Sequence, residues 1–304
     1  MSKRLSVFVM SITVWGENGQ LDEGAFRKHL RRIRDAGAST YIGSSGTGDG
    51  FAMSVEEWDR VLAIVSEEFR GHDGFRVMGC EPRSLADVLR FIRLVEPHKP
   101  EALQIYPLDL GHSLKPSFKE LEAYYTEVLD STAMPIVLSN FDSLGFTLPL
   151  DLIERLASRH TNLIGFLYGG RDTHYLSQAL HRLKDRLEVH CAGPSNAMTT
   201  LMLGGNGFMG HEGNLSPALV AGVINAFRKG DIVELGSLYA KLMQVYAMHL
   251  PHGGSAGRAM KPLLNALGLP GGTLRAPRLP ISQQELEPLI EATLRLKLPS
   301  LAAG

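Results

Sequence analysis

Cysteine is nearly absent: the chain carries two in 304 residues, Cys80 and Cys191. That excludes a disulfide framework, and their spacing matches no zinc motif, so both read as reduced thiols. Long apolar runs are missing too. VFVMSITVW near the start stops after nine residues, well short of the roughly 18 needed to span a bilayer. It lacks a small-residue cleavage site and runs into Gly-Glu-Asn-Gly, so it reads as a strand and not a signal peptide; the expectation is a cytoplasmic chain with no membrane partner. No block of five or more like charges occurs, and 31 Lys and Arg against 32 Asp and Glu leave a formal net charge of -1. No field draws in nucleic acid.

What is present is ordinary for a soluble globular protein, with 44% hydrophobic and 21% charged residues, enough to bury a sizeable core. Short apolar runs alternate with longer amphipathic segments, which predicts βα units and a parallel sheet. The runs are VFVMSITV (7–14), STYIG (39–43), FRVMGC (75–80), ALQIYP (102–107), PIVLSN (135–140), NLIGFLY (162–168), LEVHCA (187–192) and NGFMGH (206–211). Helix starts fall between them: Ser54 with Glu57 three residues on, Ser84, Ser117 and Asp172.

Eight strands alternating with eight helices is what a (β/α)8 TIM barrel requires. The barrel is expected over residues 1–230. A C-terminal helical extension, residues 231–304, follows with helical periodicity and no further strand, broken at Pro270-Gly271-Gly272 and by an extended LRAPRLP link.

Active sites of such barrels lie at the C-terminal ends of the strands. Those ends offer Ser45 and Thr47, Glu81, Asp109, Ser139 with Asn140, Tyr168 with Arg171, and His211 with Glu212. Ser, Asp and Asn are also common in turns for structural reasons. GSSGTGDG (43–50) is the best local ligand-binding stretch, because glycines let the backbone approach an anion and nearby hydroxyls hold a carboxylate or phosphate; the plain alternative is a βα loop that needs glycine to turn. GNGFMG (205–210) has the form GxGxxG but follows a helix and enters a strand, the reverse of the dinucleotide-binding context. His211 and Glu212 with Glu81 and Asp109 would make an oxygen and nitrogen metal set. Acid/base work by His211 is preferred to that reading, and no metal or cofactor is expected.

The order of ENGQLD, AGASTYIGSSGTGDGFAMSVEEW, MPIVLSN, TNLIGF, LMLGGNGFMG and LRAPRLPIS resembles the dihydrodipicolinate synthase and N-acetylneuraminate lyase family over nearly the whole chain. The resemblance implies a (β/α)8 barrel with a C-terminal helical extension, a homotetramer or homodimer, and action on pyruvate or related 2-oxo acids through a Schiff base to a lysine on strand six. That lysine position falls on Leu167, and leucine forms no imine. The family's relay tyrosine after strand five falls on Ser139, its second tyrosine near Asp109, and its arginine near Leu144. The two hydroxyl residues of the GTTGE-like loop fall on Gly46 and Thr47. The other lysines fall on helices, outer loops or termini, none of them at a strand's C-terminal end; Lys115, in the loop after strand four, is the one left open as a substitute.

The expected function is therefore that of a lyase or aldolase-like protein of this superfamily, acting on a small 2-oxo acid or related carbonyl compound without an imine at Leu167. His211, Glu212, Asp109 and Tyr168 are the candidate acid/base groups, and Ser45, Gly46, Thr47, Asn140 and Arg171 the candidate substrate contacts. A non-catalytic small-molecule-binding or regulatory barrel is the alternative. A metal-assisted lyase or hydrolase is the weaker third.

Overall fold

Each of the eight apolar runs forms a strand: β1 (Ser6–Met10), β2 (Ser39–Ile42), β3 (Arg76–Met78), β4 (Ala102–Ile105), β5 (Ile136–Asn140), β6 (Leu163–Tyr168), β7 (Glu188–Ala192) and β8 (Gly207–Gly210). In chain order they close into a barrel, and every pair with a defined register is parallel. The strands read as near-continuous apolar runs because helices cover their outer face while side chains fill the interior. The structure is a computed structural model and describes residues 4–72, 74–79, 84–141, 145–253, 257–299 and 301. Cys80, Glu81 and Leu144, named above, lie outside the described residues.

Eleven helices occur among the described residues: α1 (Glu23–Asp35), α2 (Val55–Glu68), α3 (Leu85–Val95), α4 (Phe118–Asp130), α5 (Leu150–Arg159), α6 (Thr173–Leu183), α7 (Ala197–Met202), α8 (Pro217–Lys229), α9 (Ile232–His249), α10 (Gly257–Ala266) and α11 (Gln283–Arg295). None is long and apolar enough to cross a membrane. The sequence-predicted starts carry them. Ser54 and Glu57 form a reciprocal capping box on α2, as Ser117 and Glu120 do on α4, while Ser84 accepts from Asp87 N and Asp172 from His174 N and Tyr175 N. Ser117→Ala is expected to lower stability by about 1 kcal/mol, because it orphans the Glu120 N–H that the serine hydroxyl accepts from; urea unfolding of the variant measures this.

The first strand stops earlier than its sequence suggests. Apolar character continues to Val14, but the Ile12 N–H donates to Asn214 Oδ1 at 3.0 Å and the Thr13 hydroxyl to Gly48 O at 2.7 Å. Ser11 N still donates to Tyr41 O at 2.9 Å, and side-chain partners replace the ladder from Ile12 on. In β4 the run ends before Pro107, which has no N–H to give.

By internal contacts the chain divides into two units, one of Met1–Leu5 and Arg76–Met209, the other of Ser6–Phe75 and Gly210–Gly304. The first contains β3 to β7 with α3 to α7. In the second, α9 packs on α8 and α10 on α11. There the link after α10 is held by Asn265, whose Oδ1 accepts from Gly271 N and Gly272 N. Gly272 sits at φ +69°, and a Cβ on it would lie 2.7 Å from Trp15 O. Only glycine fits there without moving backbone.

Candidate active site

In the first unit, Gly165 shows which face of the sheet points inward. A Cβ on it would lie 3.1 Å from Val137 Cγ2 of β5 and 3.6 Å from Arg76 Nη1 of β3. β3 and β6 are not neighbours in the sheet, so their side chains meet only inside the barrel. Residues partnered across parallel strands face the same way, and every second residue repeats the direction. Val137 is in register with Gln104 and with Gly165, Ser139 with Leu167, and Leu167 with His190. Gln104, Ser139, Leu167 and His190 therefore line the interior, each no more than 1% exposed.

The floor of this interior is charged. Arg76, 1% exposed, pairs with Glu188 and lies 3.5 Å from Glu101, which also takes Arg4 Nη1 at 2.5 Å. Burial pulls the Arg76 guanidinium below its ordinary range, and the carboxylates of Glu101 and Glu188 offset part of that. Above it, towards the strand ends, stands Leu167. It is an apolar side chain packed between strands that present Ser139 on one side and His190 on the other. Among the described residues, neither the Gln104 amide nitrogen and oxygen nor the Ser139 hydroxyl has a hydrogen-bond partner. A buried polar group left so costs about 1–3 kcal/mol.

The other candidates of this unit are placed as follows. Tyr168 follows Leu167 and so points the opposite way: its ring lies 5.0 Å from that of Tyr175 on α6, and its hydroxyl accepts from Asp172 N at 3.0 Å. It is built into the wall between β6 and α6. Asn140 also alternates outward, with Oδ1 accepting from Leu148 N at 3.0 Å. Asp109 is half-buried and accepts from Gly111 N at 2.8 Å, an Asx turn. Arg171 is exposed. Burial pushes the Cys191 thiol up to about 12, so it is an inert structural group.

In the second unit the GSSGTGDG loop is pinned by its own protein. Asp49, fully buried and at φ 58°, accepts from Lys261 Nζ at 2.7 Å, Arg278 Nη1 at 2.8 Å and Trp15 Nε1 at 3.0 Å. Arg278 Nη2 also donates to Gly46 O at 2.9 Å. Thr47 is buried, and the Ser45 hydroxyl has no hydrogen-bond partner among the described residues. One lysine placed on a helix by the sequence enters this loop through its side chain. Lys261 lies on α10, but its amine reaches the turn after β2, is 1% exposed, and donates as well to Thr273 O at 2.8 Å. Burial lowers its pKa while Asp49 opposes the fall. Sequence reasoning missed the pair because the partners are 212 residues apart; no local pattern links them.

His211 and Glu212 follow β8 in the same unit, where His211 leaves strand geometry (φ −92°, ψ −12°). Glu212 is fully buried, neither carboxyl oxygen has a well-formed hydrogen bond among the described residues, and Oε1 lies 3.5 Å from His211 Nε2. A third residue, unforeseen in the sequence, joins them: the His249 ring of α9 stands edge-on to His211 at 5.6 Å, with Nδ1 against Val245 O at 2.8 Å. Burial pushes Glu212 up to about 7 and both imidazoles down to about 4. A neutral acid beside neutral imidazoles is the consequence near pH 6, so the 3.5 Å contact is not an ion pair there. Among the described residues no three His, Cys, Asp or Glu side chains are placed to hold one metal ion.

Known proteins agree with this architecture. A 4-hydroxy-tetrahydrodipicolinate synthase from Fervidobacterium nodosum is 21% identical over 279 residues, which are 91% of this chain and 93% of that protein. The fold matches the solved 4-hydroxy-tetrahydrodipicolinate synthase of Methylacidiphilum fumariolicum SolV at TM-score 0.87 with 19% identity, over 99% of each chain. It also matches YagE, a prophage protein of the dihydrodipicolinic acid synthase family from E. coli K12 solved in complex with pyruvate, at TM-score 0.84 and 20% identity, over 97% of this chain and 99% of that one. At these identities the structures establish the fold alone. The family model of the dihydrodipicolinate synthetase family matches residues 112–295, more than half of the sequence, and the chain belongs to that lyase and aldolase family.

Proposed function

We propose that the protein acts on a small 2-oxo acid or a related carbonyl compound, as a carbon–carbon or carbon–oxygen lyase that forms no imine at residue 167. The observation that carries this reading is Leu167 itself: 1% exposed on the inner face of β6, with Ser139 beside it in register. Neither side chain is an amine or a phenol. Chemistry at that point rests on hydrogen bonding and proton transfer, without a covalent electron sink.

Of the acid/base candidates, His211, Glu212 and Asp109 are retained. A carboxyl neutral close to pH 7 can give a proton and a neutral imidazole can take one, which supports the first two. Tyr168 is set aside for the bonds it already makes to α6. Ser45, Gly46 and Thr47 remain substrate contacts in this proposal, with the anion role reduced because the Asp49 carboxylate already pairs with both Lys261 and Arg278. A homo-oligomer is part of the same reading, supported by Ile232 and Val233 standing 69% and 85% exposed at the start of α9.

Borohydride reduction in the presence of pyruvate, read by intact and peptide mass spectrometry, tests the central point. The expected result is no adduct on any lysine, Lys261 included; a stable adduct on one of them ends the reading. A parallel screen of 2-oxo acids and hydroxy-oxo acids for cleavage or dehydration separates it from the second reading, a binding barrel without turnover. That alternative is favoured by the burial of His211 and Glu212, 4% and 0% exposed. Tight binding with no product would select it.

A further inference from the structure

In the second unit, α10 and the link that follows it enclose an open cavity of about 570 Å³, a size suited to a small molecule. Its walls are largely apolar, with Pro262, Leu274, Pro277, Leu279 and Pro280 among them. Lys261 and Arg278 are the cations in the same lining, and they share one carboxylate, that of Asp49. Arg275, the neighbouring guanidinium of the link, is matched by Glu57. Among the described residues, Lys261, Arg278 and Asp49 therefore keep one positive charge with no paired carboxylate. Donors are left over as well. An ammonium has three N–H groups and a guanidinium five. Asp49 and Thr273 O take two bonds from Lys261, and Asp49 and Gly46 O take two from Arg278. Lys261 is 1% exposed, and burial pulls its amine below the ordinary range; Asp49 opposes the fall, while Arg278 and Arg275 add to it. A further anion beside it would relieve that repulsion.

We propose that this cavity binds a small monocarboxylate with an aliphatic or aromatic body, its carboxylate held by Lys261 and Arg278 and its body by the proline and leucine walls. The site is separate from the acid/base groups and from the barrel interior beside Leu167, so this inference and the lyase reading can each fail alone. The charge sets the valence of the ligand: one positive charge is uncompensated, and a second negative charge against apolar walls would have no partner. The donors set its head group, because charge-assisted bonds from an ammonium and a guanidinium suit a carboxylate. The walls set its body. A bare inorganic anion would satisfy the charge but leave the prolines and leucines in water, whereas an apolar body removes that surface from solvent.

Titration calorimetry on the full chain tests this with phenylacetate and hexanoate as probes. Acetate, which keeps the carboxylate without the body, and benzylamine, which keeps the body with the opposite charge, are the controls. Both probes are expected to bind about tenfold or more tighter than either control. Leu279 is 70% exposed on the cavity wall, so Leu279→Glu adds a carboxylate there without disturbing the core. It is expected to weaken both probes about tenfold, while Leu279→Gln, of the same shape but uncharged, retains most of the binding. Arg278→Met removes one cation and is expected to weaken them as much. No binding of the probes by the wild type overturns the proposal, as does affinity no better than that of acetate or of benzylamine. Unchanged binding in Leu279→Glu places the ligand elsewhere, the barrel mouth included, and an equal loss in Leu279→Gln takes charge out of the recognition; either result overturns it too. The Leu279 pair keeps the test decisive should Arg278→Met fail to fold.

Discussion

Asp49→Ala is expected to destabilise the protein by about 3–5 kcal/mol, the range for removing one partner of a buried ion pair. The carboxylate is fully buried between Lys261 Nζ at 2.7 Å and Arg278 Nη1 at 2.8 Å, and Trp15 donates to it from a third direction. Without it, an ammonium that is 1% exposed keeps, among the described residues, only Thr273 O as a partner. Arg278, 18% exposed, reaches water and loses less. The double variant Asp49→Ala/Lys261→Met removes both buried charges and is expected to recover most of the loss, because the cost lies in the stranded charge more than in the missing attraction. Chemical denaturation of the two single variants and the double one completes the cycle. A double variant no more stable than Asp49→Ala would show that the stranded ammonium is not the cause.

The second large effect is a pH dependence carried by Glu212. Its folded-state pKa is raised from 4.5 to about 7, chiefly by burial. The folded state thus prefers the protonated acid, and this contribution to stability is fully present below about pH 4.5 and lost as pH rises through about 7. At 1.36 kcal/mol for each pKa unit the loss is about 3 kcal/mol. His211 and His249 act in the opposite sense. Both are lowered from 6.5 to about 4, first by burial, so the stability they contribute is present above about pH 6.5 and lost as pH falls through 4. The wild type is then most stable between these limits. Glu212→Gln removes only the alkaline loss: relative to wild type it is expected to gain about 3 kcal/mol between pH 5 and pH 8. Equal pH profiles for the two proteins, measured by denaturant unfolding, would show that Glu212 does not titrate in this window. His252, which also acts on His249, is the nearby charge to hold constant by comparing both proteins in the same buffers.

Much of the fold was legible along the chain, and the reasons are local. Alternating apolar runs and Ser or Asp caps are set by neighbours within a few residues, so strand β6 and the capping boxes on α2 and α4 lie where the pattern places them. The sharpest feature of the site was legible too: a leucine at residue 167 is a fact of covalent structure, and the fold only adds that it is buried and faces inward. Tyr168 could have been judged from the sequence, because the two-residue period of a strand turns it away from whatever Leu167 faces. The end of β1 could not be, since Asn214, which takes the Ile12 N–H, is 202 residues distant.

The sequence by itself thus determined the element order, the barrel and the absence of an amine at residue 167, since each follows from residue identity and short-range periodicity. Only the tertiary structure decided that Lys261 closes on Asp49, that His249 completes the group at His211 and Glu212, and that Gln104 and Ser139 face the barrel interior together. Those groupings depend on how a closed sheet and its helices bring distant residues into one desolvated volume, where burial alone changes which charges survive and which polar groups need a partner.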